Sequence, residues 1–285
     1  MPRIGIIGGS GLYSMKDLNI IDYKKIDTPF GEPSDAYMIG TLADKEVVFL
    51  ARHGRGHILP PSDINYRANI YGFKVLGVEW LIGVSAVGSM KEEIRPGYIV
   101  IPDQFYDLTK RRVSTFFSKG LAAHISFAEP VCDRLNDIVY QASKKVKEDV
   151  IKGGIYLCIE GPQFSTKGES FIHRKWGVDI IGMTNMPEAK LAREAEICYS
   201  TIAMVTDYDV WHTEEEAVSV DQIVKTFNRN VAVSQEVLLE VAKLLPIERE
   251  CVCRNSLEGA FITDKNYCDK NLIQLLKPIV GKYFP

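Results

Sequence analysis

Apolar positions along the chain fall into two patterns. Short runs rich in β-branched residues occur at Arg3 to Ile7, Glu46 to Ala51, Trp80 to Val84, Tyr98 to Pro102, Gly154 to Ile159, Val178 to Met183 and Thr201 to Val205. These runs predict strands, and several are apolar at successive positions, as strands buried on both faces are. Between them lie segments whose apolar residues recur every three or four positions, the mark of surface helices. Two helix starts are explicit. Thr166-Lys167-Gly168-Glu169 and Ser219-Val220-Asp221-Gln222 fit the capping box, in which the first and fourth side chains satisfy free N–H groups reciprocally. After the second, Val224, Phe227, Val231, Leu238, Val241 and Leu245 form a stripe suited to core packing. The alternation predicts an α/β fold with a mostly parallel central sheet flanked by helices. No Pro-, Gly- or Ser-rich linker and no internal repeat divides the chain, so a single domain is expected over 1–285. Within it, Gln104 to Pro130 reads as a long irregular excursion and the residues from about 246 to 285 as a C-terminal extension.

Composition removes several function classes. Hydrophobic residues make up 46% of the 285 and charged residues 25%, ordinary globular values that exclude a disordered or low-complexity chain. The formal net charge of −3, from 34 Lys and Arg against 37 Asp and Glu, provides no footprint for nucleic acid or a membrane surface. The short run Lys110-Arg111-Arg112 reads as a solvated loop. No apolar stretch approaches the ~18 residues of a membrane span, and the chain starts on a strand, so a cytoplasmic enzyme is expected. Six cysteines, Cys132, Cys158, Cys198, Cys251, Cys253 and Cys268, are too scattered for a zinc site, and Cys251-Val252-Cys253 has one intervening residue where metal and redox motifs have two. No metal is implied. Because three of the six come after residue 250, a C-terminal tail stapled by disulfides stays open.

The polar residues at the strand ends carry the chemistry. The first strand leads into Gly8-Gly9-Ser10-Gly11, the second into Arg52-His53, the third into Ser85-Ala86, the sixth into Thr184 and the last into Thr206-Asp207-Tyr208-Asp209. In open α/β sheets the carboxyl ends of the strands hold ligands, so these residues are expected to line one pocket. The glycine turn fits neither the dinucleotide fingerprint nor a P-loop, since Ser14 and Ser10 stand where the required glycines belong. Its backbone N–H groups and the Ser10 hydroxyl suit an anion. Ser85, Thr184, the Arg52 fork and His53 supply further donors for phosphate or sulfate. A serine hydrolase is disfavoured, because neither Ser10 nor Ser85 sits in a Gly-x-Ser-x-Gly elbow. Two crowded carboxylates at Asp207 and Asp209 rarely both stay ionised, so one can donate a hydrogen where the other accepts. That pattern matches the edge of a 6-aminopurine, whose N7 accepts and whose amine donates.

Taken together, "GIIGGSGLY", "DTPFGEPSDA", "ARHGRGH", "NYRANIYG", "GSMKEEIRPGYIVIPDQFYDLT", "IEGPQFST", "GMTNMPEAKLAREAEICYSTIAMVTDYD" and "EEEAVSVDQI" resemble the 5'-methylthioadenosine phosphorylase family, in the family's order and from about residue 3 to residue 245. The resemblance implies a phosphorylase/hydrolase-like fold, assembly as a trimer or a dimer of trimers, and phosphorolysis with inorganic phosphate as co-substrate and no metal or organic cofactor. Carried over by residue, it assigns phosphate to Ser10, Arg52, His53, Ser85, Ala86 and Thr184. Met183 would face the ribose, Phe164 would join the substrate site, and Asp207, Tyr208 and Asp209 the adenine, with Asp207 the proton donor at N7. Ser165 and Val220 fall at positions tied to substrate choice, Val220 leaving the 5' region apolar. His124 would close the pocket of a neighbouring subunit. Two rivals stand beside this reading. One is a purine nucleoside or methylthioinosine phosphorylase acting on 6-oxopurines, disfavoured by Asp at 207; the other is a non-catalytic nucleotide-binding protein on the same fold.

Overall fold

The computed structural model describes residues 3–9, 11–12, 15–212 and 220–285, with backbone alone for 220–229. Among the described residues, eleven strands form one sheet. They are β1 (Arg3–Gly8), β2 (Asn19–Lys24), β3 (Tyr37–Leu42), β4 (Lys45–Ala51), β5 (Val78–Ser89), β6 (Ile99–Ile101), β7 (Gln104–Asp107), β8 (Val150–Lys152), β9 (Ile155–Cys158), β10 (Ile180–Gly182) and β11 (Cys198–Tyr208). The α-helices among the described residues are α1 (Tyr66–Val75), α2 (Asp133–Val146), α3 (Lys167–Lys175), α4 (Glu188–Glu194), α5 (Val220–Leu244), α6 (Lys270–Leu275) and α7 (Lys277–Val280).

The order runs β2-β3-β4-β1-β5-β10-β9-β7, and a branch leaves β5 through β11 to β6 and β8. β5 is the hub because its length lets it pair with three partners. Its first half lies between β1 and β11, both parallel to it, and Gly88 and Ser89 at its end pair antiparallel with β10. The sheet is thus mixed: parallel along β4-β1-β5-β11 and β10-β9-β7, antiparallel in β2-β3-β4, β5-β10 and β6-β11.

Side chains alternate between two faces, as the pleat requires. Ile4 and Ile6 of β1 enter one core with α2 and α5, where Leu135, Ile138, Val139, Val237, Leu238 and Val241 are buried. Ile7 enters the other with α1, α4 and α7, through Phe73, Leu191 and Val280. The sequence runs that were apolar throughout are indeed buried on both faces, β11 from Cys198 through Val205 without a break. The Thr166 capping box forms, Glu169 N donating to Thr166 Oγ1 at 3.2 Å and Thr166 N to Glu169 Oε2 at 2.7 Å. Ser219 lies outside the described residues, and the helix it introduces begins at Val220. Among the described residues no helix is long and apolar enough to cross a membrane.

Three sequence readings need correction. The excursion from Gln104 opens with β7, paired parallel to β9, before the chain becomes irregular. Strands β2 and β3 lay outside the apolar runs; β2 is at the sheet edge and every one of its residues is exposed, so no burial pattern marks it. The cysteines are scattered in the chain but not in space. The sulfurs of Cys132, Cys198, Cys251 and Cys253 all lie within 4.8 Å of one another.

Candidate active site

β1, β4, β5 and β11 run parallel, so their carboxyl ends open on one edge. Gly8 stands opposite Ala51, and the Arg52 N–H donates to Gly8 O at 3.0 Å, which sets the glycine turn beside Arg52 and His53. Gly8 has no room for a side chain, since a Cβ would meet Leu12 Cδ1 at 2.7 Å and Val84 Cβ at 3.2 Å. Gly11 is tied down through its carbonyl, which accepts from Gln235 Nε2 at 3.0 Å. Ser10, the expected phosphate ligand of this turn, lies outside the described residues.

Ser85 does not close a strand, because β5 continues to Ser89. Its surroundings are set from across the sheet. Ile180 pairs with Ser89 and Ile181 with Gly88 in antiparallel register, and β10 ends at Gly182, two residues before Thr184. Both hydroxyls act on the phenol of Tyr156, which comes from β9. Ser85 Oγ and Tyr156 Oη are buried, and neither closes a well-formed hydrogen bond among the described residues. A buried hydroxyl left unpaired costs roughly 1–3 kcal/mol, so these groups suit the oxygens of an anion. Burial raises the Tyr156 pKa and keeps its phenol a donor. Gly182 makes the space, since a Cβ there would fall 2.0 Å from Tyr156 Oη.

The Arg52 fork is largely taken up by the protein. Arg52 is 2% exposed. Its Nε and Nη2 hold the Glu188 carboxylate at 2.8 and 3.0 Å, Nη1 donates to Val84 O at 2.9 Å, and Nη2 donates to Ile7 O at 3.0 Å. A guanidinium has five N–H groups, so among the described residues one, on Nη1, is left for an anion. Burial pulls the Arg52 pKa down, but the Glu188 carboxylate overrides it and holds the group charged. Glu188 Oε1 also accepts from Tyr199 Oη at 2.8 Å, and Tyr199 Oη in turn accepts from Asn185 Nδ2 at 3.0 Å.

His53 differs from the donor expected. Its Nδ1 lies 2.8 Å from Leu59 O, and a carbonyl only accepts, so Nδ1 carries the proton. Burial, together with Arg52 and His57, lowers its pKa to about 4 against the support of the Leu59 carbonyl. The neutral ring therefore leaves Nε2 as an acceptor, fit for the O–H of a protonated phosphate.

Arg112, read from the sequence as part of a solvated loop, is an organiser. Its side chain is 1% exposed. It donates to the carbonyls of Met183, Met186 and Glu160, each at 2.7 Å, and to Tyr66 Oη at 3.0 Å. The Glu160 carboxylate closes the arrangement by accepting from the N–H groups of Lys110 and Arg111. Desolvation alone would raise the Glu160 pKa; these donors and Arg112 bring it down to about 2.

At the end of β11 the pairing slips. Val205 opposes Val87 and Asp207 opposes Gly88, so the chain skips Thr206. Such a bulge re-aims the next side chain. Gly88 leaves room for both acids, a Cβ there falling 3.1 Å from Asp207 Oδ1 and 3.6 Å from Asp209 Cβ. Asp207 is half-buried and its Oδ2 accepts from Thr206 Oγ1 at 2.6 Å. Asp209 is 7% exposed, and burial raises its pKa. Ser165 and Ser170 oppose that shift, yet Asp209 Oδ2, Ser165 Oγ and Ser170 Oγ are all buried without a closed hydrogen bond.

Most expected residues therefore meet at one edge: Arg52, His53, Ser85, Ala86, Thr184, Asp207 and Asp209, with Ser165 behind Asp209. Others stand apart. Tyr208 uses its hydroxyl on Glu92 O at 3.1 Å and stacks on His212. Phe164 is 50% exposed. His124 is exposed, and its N–H donates to Ala260 O at 2.8 Å in the C-terminal segment. Met183 packs its sulfur against Gly161. Of Val220 only the backbone is described.

A model of the phosphorylase superfamily matches residues 3–243. The chain belongs to that superfamily. The S-methyl-5'-thioadenosine phosphorylase of Koribacter versatilis is 56% identical over 282 residues, covering 99% of this chain and 97% of the relative. That of Hyperthermus butylicus is 49% identical over 263 residues, with 91% and 95% covered. Among solved structures, a methylthioadenosine phosphorylase from an antarctic soil metagenomic library has a TM-score of 0.92 at 46% identity, covering 98% of both chains. The methylthioadenosine phosphorylase of Schistosoma mansoni, in complex with adenine, gives 0.83 at 38% identity, covering 87% of this chain and 93% of its own. These relatives place the chain among the superfamily's methylthioadenosine phosphorylases.

Within this superfamily member, Glu188, Tyr156 and Arg112 are site-forming residues that the sequence pattern did not single out. Tyr156 lies in the apolar run Ile155–Cys158, where its hydroxyl was the available signal, whereas Glu188 stands among other charged residues and offered none. Replacing Glu188 by Ala is expected to cost about 3–5 kcal/mol of folding stability, because the Arg52 guanidinium would stay buried and uncompensated. Urea denaturation of wild type and Glu188→Ala measures the difference; a cost below about 1 kcal/mol would mean that the pair does not hold this edge together.

Proposed function

We propose that this chain is a cytoplasmic salvage enzyme that transfers the pentosyl group of 5'-methylthioadenosine to phosphate, releasing adenine and 5-methylthioribose 1-phosphate. The observation that carries the reading is the juxtaposition at one sheet edge of an anion cradle, Ser85, Thr184 and Tyr156, with the carboxylate pair around Gly88. The relatives carry that activity in their names, and a variant of the Schistosoma mansoni enzyme has been solved in complex with methylthioadenosine.

The course of the reaction is dictated by charge. As the bond between C1' and N9 lengthens, its electron pair goes to the base and the sugar gains oxocarbenium character. A phosphate oxygen forms the new bond to C1' from the opposite face, and a proton passes from Asp207 to N7. General-acid help of this kind is worth roughly 10² to 10⁴ in rate. Asp207 is the more accessible acid and Asp209 the one whose ionisation burial opposes, so the pair can retain the proton that the base needs. Phosphate is oriented by Ser10, Ser85, Thr184, the glycine turn and the remaining Arg52 N–H, with His53 Nε2 accepting its hydroxyl. Preorganised donors of this kind act without reorganisation during the reaction. Met183 faces the ribose, Phe164 joins the substrate site, Ser165 influences substrate choice from beside Asp209, and Val220 leaves the 5' region apolar. His124, exposed here, would complete the pocket of a neighbour in a homotrimer or a dimer of trimers. The exposed Phe171, Ile172 and Trp176 on and after α3 support such assembly.

Incubation of pure protein with methylthioadenosine, methylthioinosine or adenosine, each with and without phosphate, tests the reading. Adenine release from methylthioadenosine only with phosphate is expected; preferential release of hypoxanthine would transfer the chain to the oxopurine enzymes, and no release from any substrate would leave a binding protein. In the same assay Asp207→Asn should lower turnover of methylthioadenosine by about 10² or more, and of methylthioinosine by less. Equal loss on both substrates in a folded variant would remove Asp207 from base recognition. Sedimentation at assay concentration should find trimers or hexamers, and a fully active monomer would dismiss His124 as a shared residue.

A further inference from the structure

Four of the six cysteines converge far from the reacting edge. Cys198 begins β11, whose other end bears Asp207, a separation of roughly 30 Å along an extended strand. Cys132 is the residue before α2, and Cys251 and Cys253 lie at the start of the short 3-10 turn Val252–Asn255. Cys132, Cys198 and Cys253 are buried and Cys251 is half-buried. All four sulfurs lie within 4.8 Å of one another, and none is bonded to another.

The size and the electrostatics of the cluster both bear on its occupant. A tetrahedral zinc with bonds of about 2.3 Å holds its four sulfurs about 3.8 Å apart, between the 3.0 Å that separates Cys198 Sγ from Cys251 Sγ and the 4.8 Å that bounds the cluster. Its surroundings are positive. The Arg249 Nη1 stands 3.8 Å from Cys198 Sγ, and Arg193 acts electrostatically on Cys253. Cys132 stands at the N-terminus of α2, where the helix dipole favours negative charge. Disulfides are neutral and draw nothing from these cations. Four thiolates around a divalent ion carry a net negative charge and are stabilised by them.

We propose that Cys132, Cys198, Cys251 and Cys253 form a tetrathiolate zinc site that fastens the C-terminal segment to α2 and β11. On binding, the thiol protons leave to solvent and four sulfur-to-zinc bonds form, with no change of oxidation state. Cys251-Val252-Cys253 supplies two ligands from one turn, and the other two come from elements of the sheet layer. The site is structural, since it is remote from the carboxylates and every ligand position is protein sulfur.

The test is metal analysis of the full chain, reduced under anaerobic conditions, incubated with excess zinc and desalted. About one tightly held zinc per chain is expected in the wild type and in Cys268→Ser, whose sulfur lies outside the cluster. The double variant Cys251→Ser/Cys253→Ser should retain none, with an unchanged circular dichroism spectrum showing that it is folded. Cobalt in place of zinc should give the strong visible absorption of a tetrahedral thiolate site in the wild type only. Absence of bound metal from the folded wild type overturns the proposal, whether its four thiols remain free or mass spectrometry of the protein as purified finds them in disulfides that re-form in place of metal.

Discussion

Arg52 brings a full positive charge to a position where almost none of its side chain meets water, and such a charge is tolerable only when paired and fully hydrogen-bonded. Glu188 supplies the opposite charge in two-pronged geometry, and the carbonyls of Ile7 and Val84 take further donors. The consequence is mechanical. One guanidinium joins the ends of β1 and β4, the middle of β5 and the first residue of α4, the elements from which the anion cradle is built. Gly83 is part of the same constraint, because a Cβ there would meet Tyr199 Oη at 2.7 Å, Thr201 Oγ1 at 2.9 Å and Glu188 Oε1 at 3.3 Å. A buried ion pair adds little net stability compared with apolar packing, but it specifies position where apolar contacts would tolerate slippage.

Arg112 repeats the arrangement for the loops. Its donors reach the carbonyls of Glu160, Met183 and Met186, so the segment before α3 and the segment after β10 are held by one side chain. With both arginines engaged in this way, the polar groups left open at this edge are mainly neutral, the hydroxyls of Ser85 and Thr184 and an acceptor nitrogen on His53. Neutral donors orient an anion without cancelling its charge.

The central strands were legible because continuous apolar runs have few explanations other than burial on both faces. So were the polar residues at their ends, since the parallel direction of β1, β4, β5 and β11 gathers those ends regardless of detail. The remainder depends on pairing across the chain. Nothing local distinguishes Glu188, which meets Arg52 from a distant segment, or Arg112, whose neighbours Lys110 and Arg111 are exposed. The Cys132, Cys198, Cys251 and Cys253 cluster was invisible for the same reason: spacing in sequence describes a metal site only when its ligands lie on one or two turns. β2 was missed because an exposed edge strand has no buried face to enforce a period.

The carboxylate pair illustrates how a local irregularity becomes chemistry. In a regular strand Val205 and Asp207 would share a face. The bulge at Thr206 makes them oppose successive residues of β5, so that Val205 stays in the core and Asp207 turns away from it. Gly88 then supplies the space that any larger residue would fill. The cost is a lost ladder pairing and a carboxylate, Asp209, driven toward its neutral form by burial. Both costs accompany one result: a buried carboxyl, Asp209, and a more open one, Asp207, share the space beside Gly88. An unbroken β11 would have satisfied more backbone groups and turned Asp207 onto the face of Val205.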